Sequence, residues 1–411
     1  MPRGVRREEI LEAAAALFAS GGLRASMKEI ADACGMLPGS LYHHFPSKEA
    51  IVIELVRRYQ DDLDGISHAA LLSATAPDGR PVLDRVVELG EEIAACAARH
   101  PGALLATLYE APSGAGEELR QLARRTPHTI HDAMLALLDA GRGARQVRAR
   151  VDLSSLSTRL CESMLRHGIT NAYLGPAARR PPALRCRVVL QGIAAGVPSR
   201  AALDRSGALT GAKAAVARWP ELDAGVDERD ALLRATAREE FGRRGYDATT
   251  LREIAEASGL STGTVYRLYP SKAELLDAVM GAYTAKRQLA WDAVMASGST
   301  PLEKVDALTW LYIKLSERFG AEYQLQMGVV RLSPKAMGSA VRPARWSDVE
   351  ALLVEGVASG EVRLEGGTAP AYARCVYEAL WTPQDVVDRI GVRAAHALAR
   401  DTVVVGALVR R

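Results

Sequence analysis

The stretch EIADACGMLPGSLYHHFPSK occupies residues 29–48, and residues 253–272 repeat it as EIAEASGLSTGTVYRLYPSK. Ten of the twenty positions are identical, at a constant offset of 224 residues. In a chain of 411 residues this period is about half the length, which is too long for one unit of a solenoid. The repeat therefore predicts two copies of one whole protein, joined head to tail.

Each copy has the start and stop signals of two short helices. Ser26 precedes Glu29 by three residues, which is the spacing of a capping box. Gly35 is placed to end that helix, and Pro38 or Gly39 to begin the next. Two short helices joined by a tight, glycine-bearing turn predict a helix-turn-helix, whose second helix presents its first residues to base edges in the major groove of DNA.

A longer helix precedes this pair. Apolar residues recur at three- and four-residue spacing over roughly residues 6–20, which predicts an amphipathic helix. The second copy repeats the layout, with Thr249 or Thr250 as the cap and Gly259 in the turn. We call the three helices of each copy a reading head.

We expect both reading heads to bind double-stranded DNA. A glycine at the start of the last helix lets the DNA backbone approach, a tyrosine can reach a phosphate, and a lysine at the next helix start can pair with the backbone. The groove-facing residues differ between the copies, which predicts an imperfect or asymmetric operator. The candidate DNA-binding residues are Ser26, Lys28, Pro38, Gly39, Ser40, Tyr42, His43 and Lys48 in the first head, and Thr250, Arg252, Thr262, Gly263, Thr264, Tyr266, Arg267 and Lys272 in the second.

Both segments resemble the DNA-binding domain of the tetracycline-repressor (TetR) family. The resemblance rests on the pattern Ile-Ala-x-x-x-Gly followed by Gly-[Ser/Thr]-[Leu/Val]-Tyr, which begins at Ile30 and at Ile254. Gly22-Leu23 departs from the family's Gly-aromatic pair. The resemblance implies an all-α fold of two units, each a three-helix head on a helical-bundle regulatory domain, arranged as a pseudo-twofold dimer within one chain.

Weaker repeats continue to the end of the chain. Val147-Arg148 returns as Val362-Arg363 at an offset of 215, and the run 188–192 returns at 403–406. Both copies are therefore expected to carry a regulatory domain, with a Pro/Gly/Ala-rich linker between them. The predicted domains are head one at 4–64, regulatory and dimerisation domain one at 65–197, the linker at 198–225, head two at 226–286, and regulatory and dimerisation domain two at 287–411.

The resemblance implies a ligand-responsive transcriptional regulator, a repressor rather than an activator, with a small-molecule effector. Aromatic residues concentrate in the second regulatory domain, and we expect Trp310, Tyr323, Trp346 and Trp381 to line an apolar pocket there. Dimers of the fused chain are a second possibility. The alternative function is a protein-interaction adaptor in which one or both heads are vestigial.

Composition excludes several other classes. The net charge of +3 is too small to bind DNA by bulk charge, so the contact must come from a local face. The five cysteines are scattered, and no enzyme motif or cofactor-binding loop occurs, so we expect no catalysis, cofactor or metal. The first thirty residues lack a signal peptide's apolar core, and no run reaches the ~18 apolar residues of a membrane span. We expect a cytoplasmic protein.

Overall fold

The computed structural model describes residues 3–21, 25–75, 79–107, 115–124, 128–173, 181–246, 248–332 and 345–409. Within these ranges the regular elements are helices, and β-pairing is limited to two isolated antiparallel bridges. The predicted all-α class is confirmed. None of the helices in the described ranges combines the length and apolar character needed to cross a bilayer.

The described ranges of the first half contain ten helices. They are α1 (Arg3–Gly21), α2 (Met27–Ala33), α3 (Pro38–Tyr42), α4 (Lys48–Thr75), α5 (Val82–Arg99), α6 (Pro101–Thr107), α7 (Glu117–Arg124), α8 (His128–Gly143), α9 (Leu153–Tyr173) and α10 (Pro182–Gln191). The first three form head one, and α4 packs mainly on α8 and α5.

The rest of the chain repeats this order with changes. The helices are α11 (Arg200–Asp204), α12 (Gly207–Ala217), a 3-10 turn (Trp219–Asp223), α13 (Glu228–Arg244), α14 (Leu251–Ser258), α15 (Thr262–Leu268), α16 (Lys272–Met295), α17 (Pro301–Leu332), α18 (Trp346–Ala358), α19 (Ala369–Ala379), α20 (Gln384–Ala399) and a π-helical turn (Arg400–Val404). Helices α13 to α15 form head two. Helix α17 bends at Phe319, where the backbone leaves the helical region (φ −133°, ψ 33°).

One continuous helix joins each head to its body. The predicted boundaries at 64/65 and 286/287 both fall inside a helix, α4 in the first half and α16 in the second. Each of these helices packs against its own head as well as against the body. Head and body are therefore connected by one helix without a break in both halves.

The stretch 198–225, which the sequence predicts to be a linker, contains regular structure. It forms α11, α12 and the 3-10 turn, and α12 packs on α16 and α17. Trp219 is buried, donates its indole N–H to the carbonyl oxygen of Lys286 (2.9 Å), and meets the ring of Phe319 edge-on. Because these contacts bury apolar surface of the second body, the connection is part of that body's core.

The two halves exchange their last segments. The amide of Arg148 donates to the carbonyl oxygen of Ala407, and the amide of Arg363 donates to that of Ile193, both at 2.9 Å. Isolated bridges extend the same pairing, from Val147 to Leu408 and from Ala194 to Val362. Since 148 and 363 are equivalent in the repeat, as are 193 and 407, the hydrogen bonds are reciprocal.

Two equivalent glycines make the crossing possible. Gly192 (φ +67°) and Gly406 (φ +94°) have backbone angles that favour glycine. A Cβ added at Gly406 would lie 2.2 Å from the carbonyl oxygen of Gln191, and one at Gly192 would lie 2.4 Å from the amide nitrogen of Gly406. The segments around Gly192 and Gly406 therefore cross here with their backbones in contact.

Candidate nucleic-acid interface

Capping boxes begin the second helix of both heads. The Ser26 hydroxyl accepts a hydrogen bond from the amide of Glu29 (3.2 Å), and the Glu29 carboxylate accepts one from the amide of Ser26 (2.7 Å). Thr250 and Glu253 repeat the arrangement at 3.2 and 2.8 Å, so Thr250 rather than Thr249 is the cap. These hydrogen bonds lower the pKa of both glutamates.

The third helix of each head has one buried and one exposed side. Leu41 in α3 and Val265 in α15 are fully buried, and they lock the helix to the head's core. The next residue in each case is an exposed tyrosine, with 53% of Tyr42 and 51% of Tyr266 accessible. The two heads thus present the same ring at the same place and to the same extent.

Each tyrosine follows an exposed glycine by three residues. A Cβ added at Gly39 has no heavy atom within 4 Å, and one added at Gly263 meets only the Ser261 hydroxyl at 4.0 Å. Packing within the head therefore leaves room for a side chain at both positions. The surface beside the glycine is open for another molecule.

An arginine of the first helix fixes the far end of the third helix in both heads. Arg7 donates to the carbonyl oxygen of His44 (3.0 Å) and lies over the ring of Phe45. In head two, Arg234 donates to the hydroxyl of Tyr269 (2.8 Å). These arginines could not be identified from the sequence, because an arginine on an amphipathic helix gives no sign of which turn it will contact.

The other candidate residues divide into exposed and partly engaged side chains. Thr264 is half-buried, and its amide and hydroxyl are both hydrogen-bonded to the Ser261 hydroxyl, the cap of α15. Pro38 is the first residue of α3 and is half-buried. The exposed candidate residues are Ser26, Lys28, Ser40, His43, Thr250, Arg252, Thr262 and Arg267.

The ammonium of Lys272, a predicted DNA-binding residue, makes contacts within head two. It donates to the carbonyl oxygens of Tyr246 (2.8 Å) and Thr249 (2.7 Å), and it lies 4.3 Å from the centre of the Tyr246 ring. The side chain therefore holds the turn that precedes α14. Its counterpart Lys48 is likewise half-buried and engaged in contacts within the chain.

The four aromatic residues predicted to line a pocket do not gather in one place. Tyr323 and Trp381 stack on each other, with ring centres 4.8 Å apart and planes at 8°. Arg166, from the first half, covers Trp381 at 4.1 Å, so this pair belongs to the contact between the halves. Trp346 lies under Arg374, and Trp310 packs against the core.

A cavity of about 230 Å3 lies elsewhere, where head two meets its body. Its walls come from α13, α16, the connecting 3-10 turn and the bend of α17, and include the rings of Tyr283 and Phe319. Glu322 is 4% exposed, and its Oε2 atom has no hydrogen-bond partner. Burial raises the pKa of this carboxyl to about 7, and its other oxygen, Oε1, lies 3.9 Å from the guanidinium of Arg238.

This geometry defines a class, the helix-turn-helix proteins. The family described as "Bacterial regulatory proteins, tetR family" matches residues 10–55 and 233–279. The chain carries the DNA-binding domain of this family twice, as the repeat predicted.

Individual relatives match parts of the chain. The HTH-type transcriptional repressor KstR2 of Rhodococcus jostii (strain RHA1) is 48% identical over 88 residues, which are 21% of this chain and 42% of the relative. The HTH-type transcriptional regulator UidR of Escherichia coli (strain K12) is 39% identical over 69 residues, 15% of this chain and 35% of the relative. The chain thus spans less than half the length of these relatives.

Among solved structures, the ketosteroid transcriptional regulator KstR2 of Mycobacterium tuberculosis is similar with a TM-score of 0.36 and 25% identity. The similarity covers 44% of this chain and 89% of that one.

Proposed function

We propose that the chain is a DNA-binding transcriptional regulator that applies both reading heads to one operator. The observation that carries this proposal is the exposed Gly39–Tyr42 surface and its copy at Gly263–Tyr266. Folding gains nothing from exposing an aromatic ring, and the open space beside each glycine is not required by the head's own packing. A phosphate backbone that comes close to the glycine and touches the tyrosine accounts for both features.

Alanine at the two glycines separates DNA binding from folding. Gly39→Ala and Gly263→Ala add a methyl group where the protein has room, and alanine favours a helix by about 1 kcal/mol over glycine. We expect equal or higher thermal stability and at least a several-fold weaker operator affinity, measured by fluorescence anisotropy on a selected operator. Tyr42→Ala and Tyr266→Ala should also weaken binding at unchanged helical content. Val354→Ala, an equally exposed residue on α18, serves as the control.

The adaptor alternative makes the opposite prediction. A chain with vestigial heads would select no DNA sequence at any salt concentration, and all four substitutions would leave DNA binding unchanged.

We propose that one chain supplies the pseudo-twofold pair of heads. The reciprocal hydrogen bonds at Arg148 and Arg363 support this arrangement, because equivalent residues of each half meet the exchanged segment of the other. Heads on one operator would occupy successive major grooves, about 34 to 36 Å apart. Sedimentation of the complex should give one chain per operator, and two chains per operator would refute the single-chain arrangement.

We propose repression as the direction of control and a small amphipathic molecule as the effector. Support for repression comes from the relatives named as repressors. Support for the effector comes from the cavity, whose walls combine aromatic rings, the guanidinium of Arg238 and the buried carboxyl of Glu322, one oxygen of which has no hydrogen-bond partner. Because α13 belongs to head two and α16 joins it to the body, a ligand between them would favour one head position over another.

Filling the cavity tests this mechanism. Ala282→Leu adds bulk to a wall of the cavity, away from the reading surface. A compound that releases the native protein from its operator should have no effect on this variant, while operator affinity without the compound stays the same. Release of both proteins at equal compound concentration would place the effector site elsewhere.

A further inference from the structure

Three side chains with metal-binding donors meet between α4 and α5, in the first half of the chain. The donor atoms of Asp62, Cys96 and His100 all lie within 4.8 Å of one another. Cys96 and His100 are four residues apart at the end of α5, so they project from the same side, and Asp62 reaches them from α4. Across the described ranges, no other place brings three such side chains together.

The chemistry of this group suits zinc. Thiolate, imidazole and carboxylate are its usual protein ligands, and three of them with a water at the fourth position make a tetrahedral site. Donor atoms around zinc are separated by roughly 3.5 Å, so small rotations of the side chains would close the group around an ion. His100 Nε2 and Asp62 Oδ2 are already 2.9 Å apart.

A buried hydroxyl beside the group lacks a partner. Tyr59 is 3% exposed, and its Oη atom makes no hydrogen bond. Its ring centre is 6.0 Å from that of His100. An unsatisfied buried hydroxyl is costly, so a polar group brought within reach of it would be stabilising.

Zinc binding requires that Cys96, a free and buried cysteine, gives up its thiol proton. The zinc ion would form a bond to the sulfur, the thiol proton would leave to solvent, and the Asp62 and Cys96 charges would balance the ion. Arg99 also donates to Asp62 (3.2 Å), but more than half of its side chain is exposed, so it can turn away.

We propose that Asp62, Cys96 and His100 bind one zinc ion, which fixes α4, the helix that carries head one, to the end of α5. The second half lacks this site. At the equivalent positions it has Lys286, Leu315 and Phe319, and none of these side chains suits a zinc ion. The proposal therefore predicts one zinc ion per chain, confined to the first half.

The test uses the full-length, tag-free and reduced protein after removal of metal with a chelator. Zinc is titrated in competition with a chromophoric chelator, and we expect one tight site per chain. Asp62→Asn should weaken zinc binding at least about 10-fold, since losses of that size follow even from substitution of residues that only support a ligand. Asp61→Asn, an exposed carboxylate next to it on α4, is the matched control.

Cobalt identifies the sulfur ligand independently. The native protein with Co2+ should give a sulfur-to-cobalt charge-transfer band in the near ultraviolet, and Cys96→Ala should abolish it. The same substitution at another buried cysteine, Cys375→Ala, should leave it unchanged. Zinc should also raise the unfolding temperature of the native protein but not of Asp62→Asn. Absence of stoichiometric binding, or native zinc affinity in Asp62→Asn, would overturn the proposal.

Discussion

At the junction between head and body, the first half has Asp62 and His100 where the second has Lys286 and Phe319. The backbone is the same in both, because His100 (φ −117°, ψ 45°) and Phe319 (φ −133°, ψ 33°) leave the helix in the same way. The side chains, however, create a cluster of metal-binding donors in one half and a cavity in the other. Duplication has kept the frame while the chemistry at the junction has changed.

The reading heads differ in a similar way. Tyr42 and Tyr266 are exposed to nearly the same extent, whereas the residue after each is His43 in one head and Arg267 in the other. The comparison indicates that the position of the tyrosine is set by the head's fold, while the neighbouring side chain is free to vary. Under the proposed function, one chain would combine two equivalent contacts to the DNA backbone with two different sequence preferences.

The largest effect is expected where the halves cross. Gly406→Ala places a Cβ against the carbonyl of Gln191 and strains a positive φ, so it should lower the free energy of unfolding by roughly 3 to 5 kcal/mol. Gly360→Ala is the control, since that residue has a positive φ with open space and should cost only about 1 kcal/mol. Denaturant unfolding followed by circular dichroism measures both, and equal losses would mean that the crossing adds nothing.

A pH-dependent effect should distinguish the second junction from the first. Glu322 has a pKa of about 7 when folded and an ordinary one near 4.5 when unfolded, so the folded state binds more protons between these values. The contribution of Glu322 to the free energy of unfolding is therefore present at low pH. It falls by on the order of 3 kcal/mol as pH rises through 7. Glu322→Gln should remove this fall, so the stability difference between the two proteins should change between pH 5 and pH 8. A constant difference over that range would show that the carboxyl titrates normally.

The comparison of the heads predicts unequal sensitivity to loss of the variable residue. Arg267→Ala should cost about 1 to 3 kcal/mol in operator affinity and relax the sequence preference of one half-site. His43→Ala should have a smaller effect, confined to the other half-site. Selection of DNA sequences by each variant provides the measurement, and a change spread equally over both half-sites would contradict the assignment.

The smallest effect concerns Lys272. Because its ammonium holds the turn before α14, Lys272→Met should lower the stability of head two by about 1 kcal/mol and leave the salt dependence of DNA binding unchanged. A lysine on a phosphate would instead reduce the salt slope by about 1. Binding titrations at several salt concentrations separate the two roles.

Much of the head could be predicted from local signals. Ser26 with Glu29 marked the start of α2, and Gly35 with Pro38 marked the turn, because capping and turn chemistry depend on residues close in sequence. The same reasoning could not predict that the Lys272 ammonium donates to carbonyls within the head, since those carbonyls lie more than twenty residues away in the sequence.

Prediction was weaker wherever distant segments meet. The Pro/Gly/Ala-rich composition suggested a linker over 198–225, yet Ala208, Leu209 and Ala212 fall on one buried side of α12. Small residues fit both a flexible chain and a closely packed helix, so composition alone could not decide. The metal-binding donors at Asp62 and Cys96 were equally hidden, because 34 residues separate them and only the packing of α4 on α5 brings them together.

The exchanged segments also mean that part of the first half pairs with residues that are synthesised last. The turn at Arg148 needs its partners from residues 407–409, which leave the ribosome more than 250 residues later. At about 5 to 20 residues per second, synthesis of the carboxy-terminal segment follows that of Arg148 by roughly 10 to 50 s. During that interval the backbone groups of the turn at Arg148 lack these partners. The same segment of a neighbouring nascent copy could pair with them, giving a domain-swapped dimer in place of a monomer.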